Sequence, residues 1–246
     1  ALLSGADRVI VDLEDAVEEA AKEHARDNLD SFLTQHPEAK VLVRVNAPGH
    51  WAQEADLALC QRHEGVTGII LPKAETVEHI RHAGLTLRPI WPIIESARGL
   101  VSLSQLASCK AVERLCFGSL DLGLDLNLRP GSKASQQVLD QARYNVLLQN
   151  RAAGLAAPLD GVFPAIQDLD GLHSHTQFVR DMGFGGALCI HPSQVTVIHK
   201  ALQPSPSDVD WARRVMAGAE RGAGVFKLDG QMVDAPVITH ARAILA

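Results

Sequence analysis

The chain is short of basic residues. Lysine and arginine total 23 against 29 aspartates and glutamates, a formal charge of −6. That balance argues against non-specific attachment to nucleic acid or to an anionic membrane. Cysteine is scarce too: Cys60, Cys109, Cys116 and Cys189 are the four, and none forms a CxxC pair. This density argues against a disulfide framework, and the four read as small core residues of a reduced, cytoplasmic protein. No apolar run approaches the roughly 20 residues that span a bilayer, and no signal-peptide pattern is present. Aromatics make up only 4%, but 46% apolar and 21% charged residues are ordinary globular values. Disordered, collagenous and low-complexity chains are thereby excluded.

What is present is an alternation. Short β-rich apolar runs lie at 8–13, 41–45, 68–71, 90–94, 114–117, 161–163 and 187–190. They are apolar on both faces, which suits parallel strands covered on both sides. Helical patterns occupy about 16–35, 52–63, 75–83, 97–108, 135–153, 168–182 and 207–221. Repeated βα units predict an α/β fold with a parallel sheet. Polar residues gather where the runs end: Glu14 and Asp15, Arg44 and Asn46, Lys73 and Glu75, Glu95, Ser119 and Asp121, and His191. A ring of functional groups at nearly every strand end predicts a TIM (β/α)8-type barrel. An open doubly wound sheet would gather them at one switch point. No GxGxxG follows the first run, which weighs against a dinucleotide-binding fold. Seven runs rather than eight predict a barrel lacking its first strand, with an eighth strand expected before Ala1.

Residues 1–222 are predicted to form this barrel and residues 223–246 an extension. Asp229-Gly230 between two apolar runs predicts a hairpin over 225–233, followed by a short helix over 236–246. A lone hairpin is barely stable and must pack on something.

Two acids carry the strongest chemical signal. Glu95 ends a buried run, where an unpaired carboxylate is costly. Asp121 follows the next run. With no cysteine or histidine at either strand end, the donors are hard oxygens, and Mg²⁺ suits them. The alternative is that Glu95 pairs with Arg98 and Asp121 caps a turn. Arg44 needs an anionic partner, either a substrate carboxylate or a structural bridge to Glu14 or Asp15. Glu14 and Asp15 open the predicted first helix, where Asp15 with Glu18 resembles a capping box. Capping explains one of them and leaves the other for chemistry. Lys73 is expected to pair with Glu75. His173 and His175 do not share a helix face, Gly183 reads as a helix C-cap, and His191 as a hydrogen-bonded structural imidazole.

Eight stretches together carry a resemblance: residues 5–17 around Asp12-Leu13-Glu14-Asp15, Val43-Arg44-Val45-Asn46, Leu71-Pro72-Lys73-Ala74-Glu75, Ile94-Glu95-Ser96-Ala97-Arg98-Gly99, Phe117-Gly118-Ser119-Leu120-Asp121-Leu122, residues 160–163, residues 189–195 around His191-Pro192, and residues 229–236. The chain resembles the citrate lyase β-subunit-like branch of the HpcH/HpaI aldolase superfamily over essentially its whole length. The resemblance implies a TIM barrel, a homotrimer, Mg²⁺ held by Glu95 and Asp121, and Arg44 with Glu95 as substrate-binding residues. It implies a carbon–carbon lyase acting on citryl, malyl or citramalyl thioesters of coenzyme A or an acyl carrier. The aspartate matching Asp234 serves a neighbour's active site in relatives of that kind. Asp234, Asp15 and Glu14 are the candidate catalytic acids. Two other activities fit the same barrel: a metal-dependent aldolase of free hydroxy-keto acids, and the β subunit of a multi-subunit lyase. Leu120 stands where many relatives have an acid.

Overall fold

The computed structural model describes residues 1–220 and 224–245. Seven parallel strands form one sheet in strict sequence order: β1 (Ile10–Asp12), β2 (Val41–Arg44), β3 (Val66–Leu71), β4 (Ile90–Ile94), β5 (Cys116–Phe117), β6 (Leu159–Asp160) and β7 (Gly186–Ala187). That order is the walk around a barrel wall and has no switch point. Among the described residues β1 and β7 each pair on one side only, so the curled sheet is open. The fold is the expected α/β barrel type with seven strands.

The strands alternate between two cores. Ile10, Leu42, Ile70, Trp91, Ile93, Cys116 and Leu159 pack together on the inner face of the curl. Their neighbours Val11, Val43, Leu71, Ile94 and Phe117 pack outward with residues of the helices. Side chains two apart share a face, so Asp12, Arg44 and Glu95 continue the inner rows at the strands' C-terminal ends.

The helices of this part are α1 (Lys22–Gln35), α2 (Gln53–Arg62), α3 (Val77–Gly84), α4 (Ala97–Val101), α5 (Leu103–Ala107), α6 (Ser119–Asp125), α7 (Lys133–Ala152), α8 (Leu169–Met182) and α9 (Pro192–Leu202). Several differ from the sequence reading. The first helix starts at Lys22, after a 3₁₀ turn at Glu19–Ala21, so Asp15 and Glu18 form no capping box. The span 97–108 is two helices that meet at Ser102. The sixth strand ends at Asp160 and not at Phe163: Arg143 and His175 hold the Asp160 carboxylate, and Gln194 takes the carbonyl of Phe163. Helix α6, which carries Asp121, has no counterpart in the sequence reading. Gly183 does cap α8, in left-handed backbone. Cys60 and Cys116 are buried, but Cys109 is half-buried and Cys189 exposed, so not all four are core residues.

Two compact units emerge, Ala1–Ile198 and His199–Ala246. In the second unit α10 (Pro206–Ala219) packs on α11 (Ala235–Leu245) and on the hairpin of β8 (Phe226–Leu228) and β9 (Gln231–Val233). Ala212, Val215, Val233 and Ala241 form its small core. The hairpin turns at Asp229-Gly230, both with positive φ (52° and 80°), as a two-residue turn requires. The boundary expected at 222/223 lies outside the described residues, as do the last residue of the helix expected over 207–221 and Ala246 of the one expected over 236–246. Among the described residues no helix is long and apolar enough to cross a membrane.

Candidate active site

The site is assembled at the C-terminal ends of β1 to β5. Asp12 and Arg44 are partners in the β1–β2 register. Arg44 forks onto Asp12: Nε donates to Oδ1 at 2.7 Å and Nη2 donates to Oδ2. Its remaining nitrogen, Nη1, faces Glu14 Oε2 at 3.1 Å and Asp15 Oδ2 at 3.7 Å. Burial would lower the basicity of Arg44, but these three carboxylates outweigh it and raise its pKa. Asp12 was not singled out in the sequence; its place two residues after Ile10 on an inner row was the available signal.

Glu14 lies just past β1 and is 4% exposed. Lys22 in turn donates to the Leu13 and Glu14 carbonyls, at 3.0 and 2.7 Å, which satisfies the end of β1. Burial raises the Glu14 pKa; Arg44 and Lys73 oppose the rise and Asp15 adds to it. Its Oε2 has no hydrogen-bond partner. Asp15, beside it, is exposed.

Lys73 corrects the sequence reading. Its ammonium donates to Glu14 Oε1 at 3.3 Å, and not to Glu75. Glu75 instead accepts from the Ser96 hydroxyl at 2.8 Å and lies 3.9 Å from Arg98. The expected alternative of a Glu95–Arg98 pair is therefore not formed. The Lys73 backbone is left-handed, with φ of 48°, and its N–H donates to Glu95 Oε1 at 2.7 Å.

Glu95 is 7% exposed at the end of β4. Its carboxyl group is pushed up to about 8. Burial is the main cause; the charges of Asp121 and Glu14 add to it, while the Lys73 N–H and ammonium oppose it. Gly118, at the end of β5, leaves the space that Glu95 fills: a Cβ there would stand 2.5 Å from Glu95 Cβ and 2.8 Å from its Oε2. Asp121 follows in the first turn of α6, half-buried, near enough to raise Glu95. A buried carboxylate held with one oxygen, short of positive charge and near a second carboxylate, is a fitting partner for a hard divalent cation. Among the described residues no group of three acidic, imidazole or thiol side chains forms a closed cage. Two carboxylates with the remaining positions left to water or substrate suit Mg²⁺.

Other motif residues are structural. The Asn46 amide and backbone N–H both donate to buried Asp56, which also pairs with Arg26. Gln194 ties the loops after β6 and β7 through Phe163 and Ile190. His191 shares a hydrogen bond with Ser193 on an exposed helix start, as a structural imidazole would. His175 binds Asp160 at 2.8 Å, on the outer side of the sheet. Asp234 belongs to the second unit, where its carboxylate accepts the Val237 N–H at 3.4 Å at the start of α11.

Comparison with known proteins places the chain in a family. The chain is 38% identical over 246 residues to a citrate lyase subunit beta-like protein of Mycobacterium tuberculosis, covering 98% of this chain and 88% of that one. It is 33% identical over 252 residues to a (3S)-malyl-CoA thioesterase of Cereibacter sphaeroides, covering 98% of this chain and 86% of that one. The crystal structure of CitE from M. tuberculosis, in complex with magnesium, acetoacetate and coenzyme A, superposes with a TM-score of 0.88 at 36% identity, over 97% of this chain and 88% of that one. The model of the HpcH/HpaI aldolase/citrate lyase family matches residues 1–192. This chain belongs to the HpcH/HpaI aldolase/citrate lyase family.

Proposed function

We propose that the chain is a Mg²⁺-dependent carbon–carbon lyase that cleaves, or forms, a β-hydroxyacyl thioester of coenzyme A. The observation that carries this reading is the convergence, on one sheet end, of a paired guanidinium, Arg44, with a buried acid, Glu95, and a second acid, Asp121, near enough to raise its pKa. The bound coenzyme A and magnesium of the M. tuberculosis relative support the same assignment.

Glu95 and Asp121 would hold the metal, which when bound acts as a Lewis acid toward substrate oxygen. Arg44, oriented by Asp12, would hold the carboxylate of the oxo-acid fragment through its third nitrogen. A carboxylate would take the proton of the β-hydroxyl group, for which we assign Asp234 of a neighbouring chain in a homotrimer. The Cα–Cβ bond then breaks, its electron pair passes to the thioester as an enolate, and the hydroxyl-bearing carbon leaves as a carbonyl. Glu14, with its raised pKa, and Asp15 are the acids we assign to returning a proton to the α-carbon.

Hydrolysis is the second reading, favoured by the malyl-CoA thioesterases among the relatives. The products decide. Incubation of the purified chain with malyl-, citramalyl- or citryl-CoA should yield a shorter acyl-CoA and an oxo-acid, should stop with excess EDTA, and should resume with Mg²⁺. Free coenzyme A with an intact hydroxy acid would establish hydrolysis instead. Turnover without metal would contradict the mechanism.

A further inference from the structure

Lys73 occupies an unusual position in this site. It is one of four residues other than glycine with positive φ among the described residues. An L side chain rarely adopts that conformation, so the surroundings must hold it there. Two contacts do so, in different directions. The main-chain N–H points at Glu95 Oε1, 2.7 Å away, and the side chain reaches Glu14 Oε1 at 3.3 Å. The Lys73 side chain is 47% exposed, while that of Glu14 is only 6% exposed.

The consequence lies in how Glu14 is shared. Its Oε1 goes to Lys73 and its Oε2 faces Arg44 Nη1 at 3.1 Å, without a proper hydrogen bond. Two of the three guanidinium nitrogens of Arg44 already serve Asp12. Nη1 is therefore the nitrogen that an incoming carboxylate must use, and Glu14 is its competitor. A carboxylate with no other cation would turn fully onto Nη1 and close it.

We propose that Lys73 is a positioning residue with two separate tasks: its backbone N–H fixes Glu95, and its ammonium draws Glu14 aside so that Arg44 stays open to a carboxylate substrate. This rests on the proposed function for the identity of the anion, but its test reads binding rather than turnover. Lys73→Gly keeps the N–H and accepts the positive φ. Lys73→Met removes only the ammonium, and Lys73→Arg keeps a cation.

The probes are Mg²⁺ and pyruvate, followed by calorimetry on the full chain. Lys73→Met should weaken pyruvate binding at saturating Mg²⁺ by about tenfold, the scale of one charge-assisted contact. Its Mg²⁺ affinity should be equal to or greater than wild type, because a cation near the acids is gone. Lys73→Gly should behave like Lys73→Met toward both probes, and Lys73→Arg should restore pyruvate binding. Adding Glu14→Gln to Lys73→Met should remove the defect, leaving pyruvate affinity within about threefold of Glu14→Gln alone, a coupling that double-mutant analysis isolates. A defect that persists in the double variant would mean that Lys73 touches the anion directly and would overturn the proposal. So would unchanged pyruvate binding in Lys73→Met, or a loss of Mg²⁺ affinity in Lys73→Gly. Failure of the wild-type chain to bind pyruvate with Mg²⁺ would overturn this inference together with the anion role of Arg44. Normal binding without lyase turnover would overturn the proposed function alone.

Discussion

Asp12 and Arg44 stand directly opposite each other on neighbouring parallel strands, and the carboxylate takes two of the guanidinium's three nitrogens. The arrangement fixes the plane of the guanidinium and leaves Nη1 toward Glu14 and Asp15. Burial would raise the pKa of Asp12, but the Arg44 hydrogen bond and charge outweigh it and hold the carboxyl group below its ordinary value of 3.8. Its stabilising effect is thus present above that value and is lost as pH falls through the lowered one. Asp12→Asn should weaken binding of a carboxylate ligand by about tenfold and flatten the acid limb of the stability curve. Ligand titration and thermal melts against pH check both.

Glu95 works in the opposite sense. Its folded pKa, about 8, lies above the ordinary value of 4.5. The stability linked to it is fully present below the ordinary value and is lost as pH rises through the folded one. Metal-free protein should therefore melt at progressively lower temperature as pH rises from the ordinary value of 4.5 to about 8, and the fall should level off above that. Mg²⁺ should abolish that fall and, near neutral pH, release close to one proton per ion bound, because the ligand must be ionised. Calorimetry in buffers of different ionisation enthalpy measures the proton count. A melting temperature that rises with pH in the metal-free chain would contradict this.

Gly118 is required by its neighbour rather than by its own backbone. A methyl group there would meet Glu95 Cβ at 2.5 Å, and Cβ is not the movable end of that side chain. Gly118→Ala should displace the Glu95 carboxylate and weaken Mg²⁺ binding by about tenfold or more, in line with other losses of support around a metal ligand. Circular dichroism should be unchanged. Full Mg²⁺ affinity in this variant would show that the carboxylate has another place to stand.

A second buried ion pair holds the sheet to its helices. Asp160, 1% exposed, accepts from Arg143 Nε at 2.9 Å and from His175, and Arg143 lies over the ring of Phe117. Removing one partner strands a buried charge, which costs about 3 kcal/mol or more. Arg143→Met should lower stability by that amount in denaturant unfolding, with Mg²⁺ affinity of the folded protein close to wild type.

The sequence made the strands and their parallel order legible because continuous apolar runs alternate with helical stretches, but runs apolar on both faces did not show which side chains face inward. Glu95, Asp121, Arg44 and Glu14 stood out as charges ending apolar runs. Their partners did not. Nothing local marks Lys73 for Glu14, 59 positions away, over Glu75 two residues on; the pairing is tertiary and goes with left-handed backbone at Lys73. The late start of α1 has a similar cause. Asp12 accepts the N–H groups of Glu14 and Ala16, and so keeps the residues after β1 in turns that helical periodicity alone does not foresee. The two-carboxylate motif was readable, but the glycine that makes room for it was not.

The most direct test of the Mg²⁺ assignment is the dependence of coenzyme A thioester cleavage on Mg²⁺ concentration in the wild-type chain, Glu95→Gln and Asp121→Asn. Each substitution keeps the side chain's shape and removes one charge from the metal. Both variants should need at least about tenfold more Mg²⁺ for half-maximal rate, with steeply reduced turnover at saturation. Wild-type rates at unchanged Mg²⁺ in either variant would contradict the assignment of that residue.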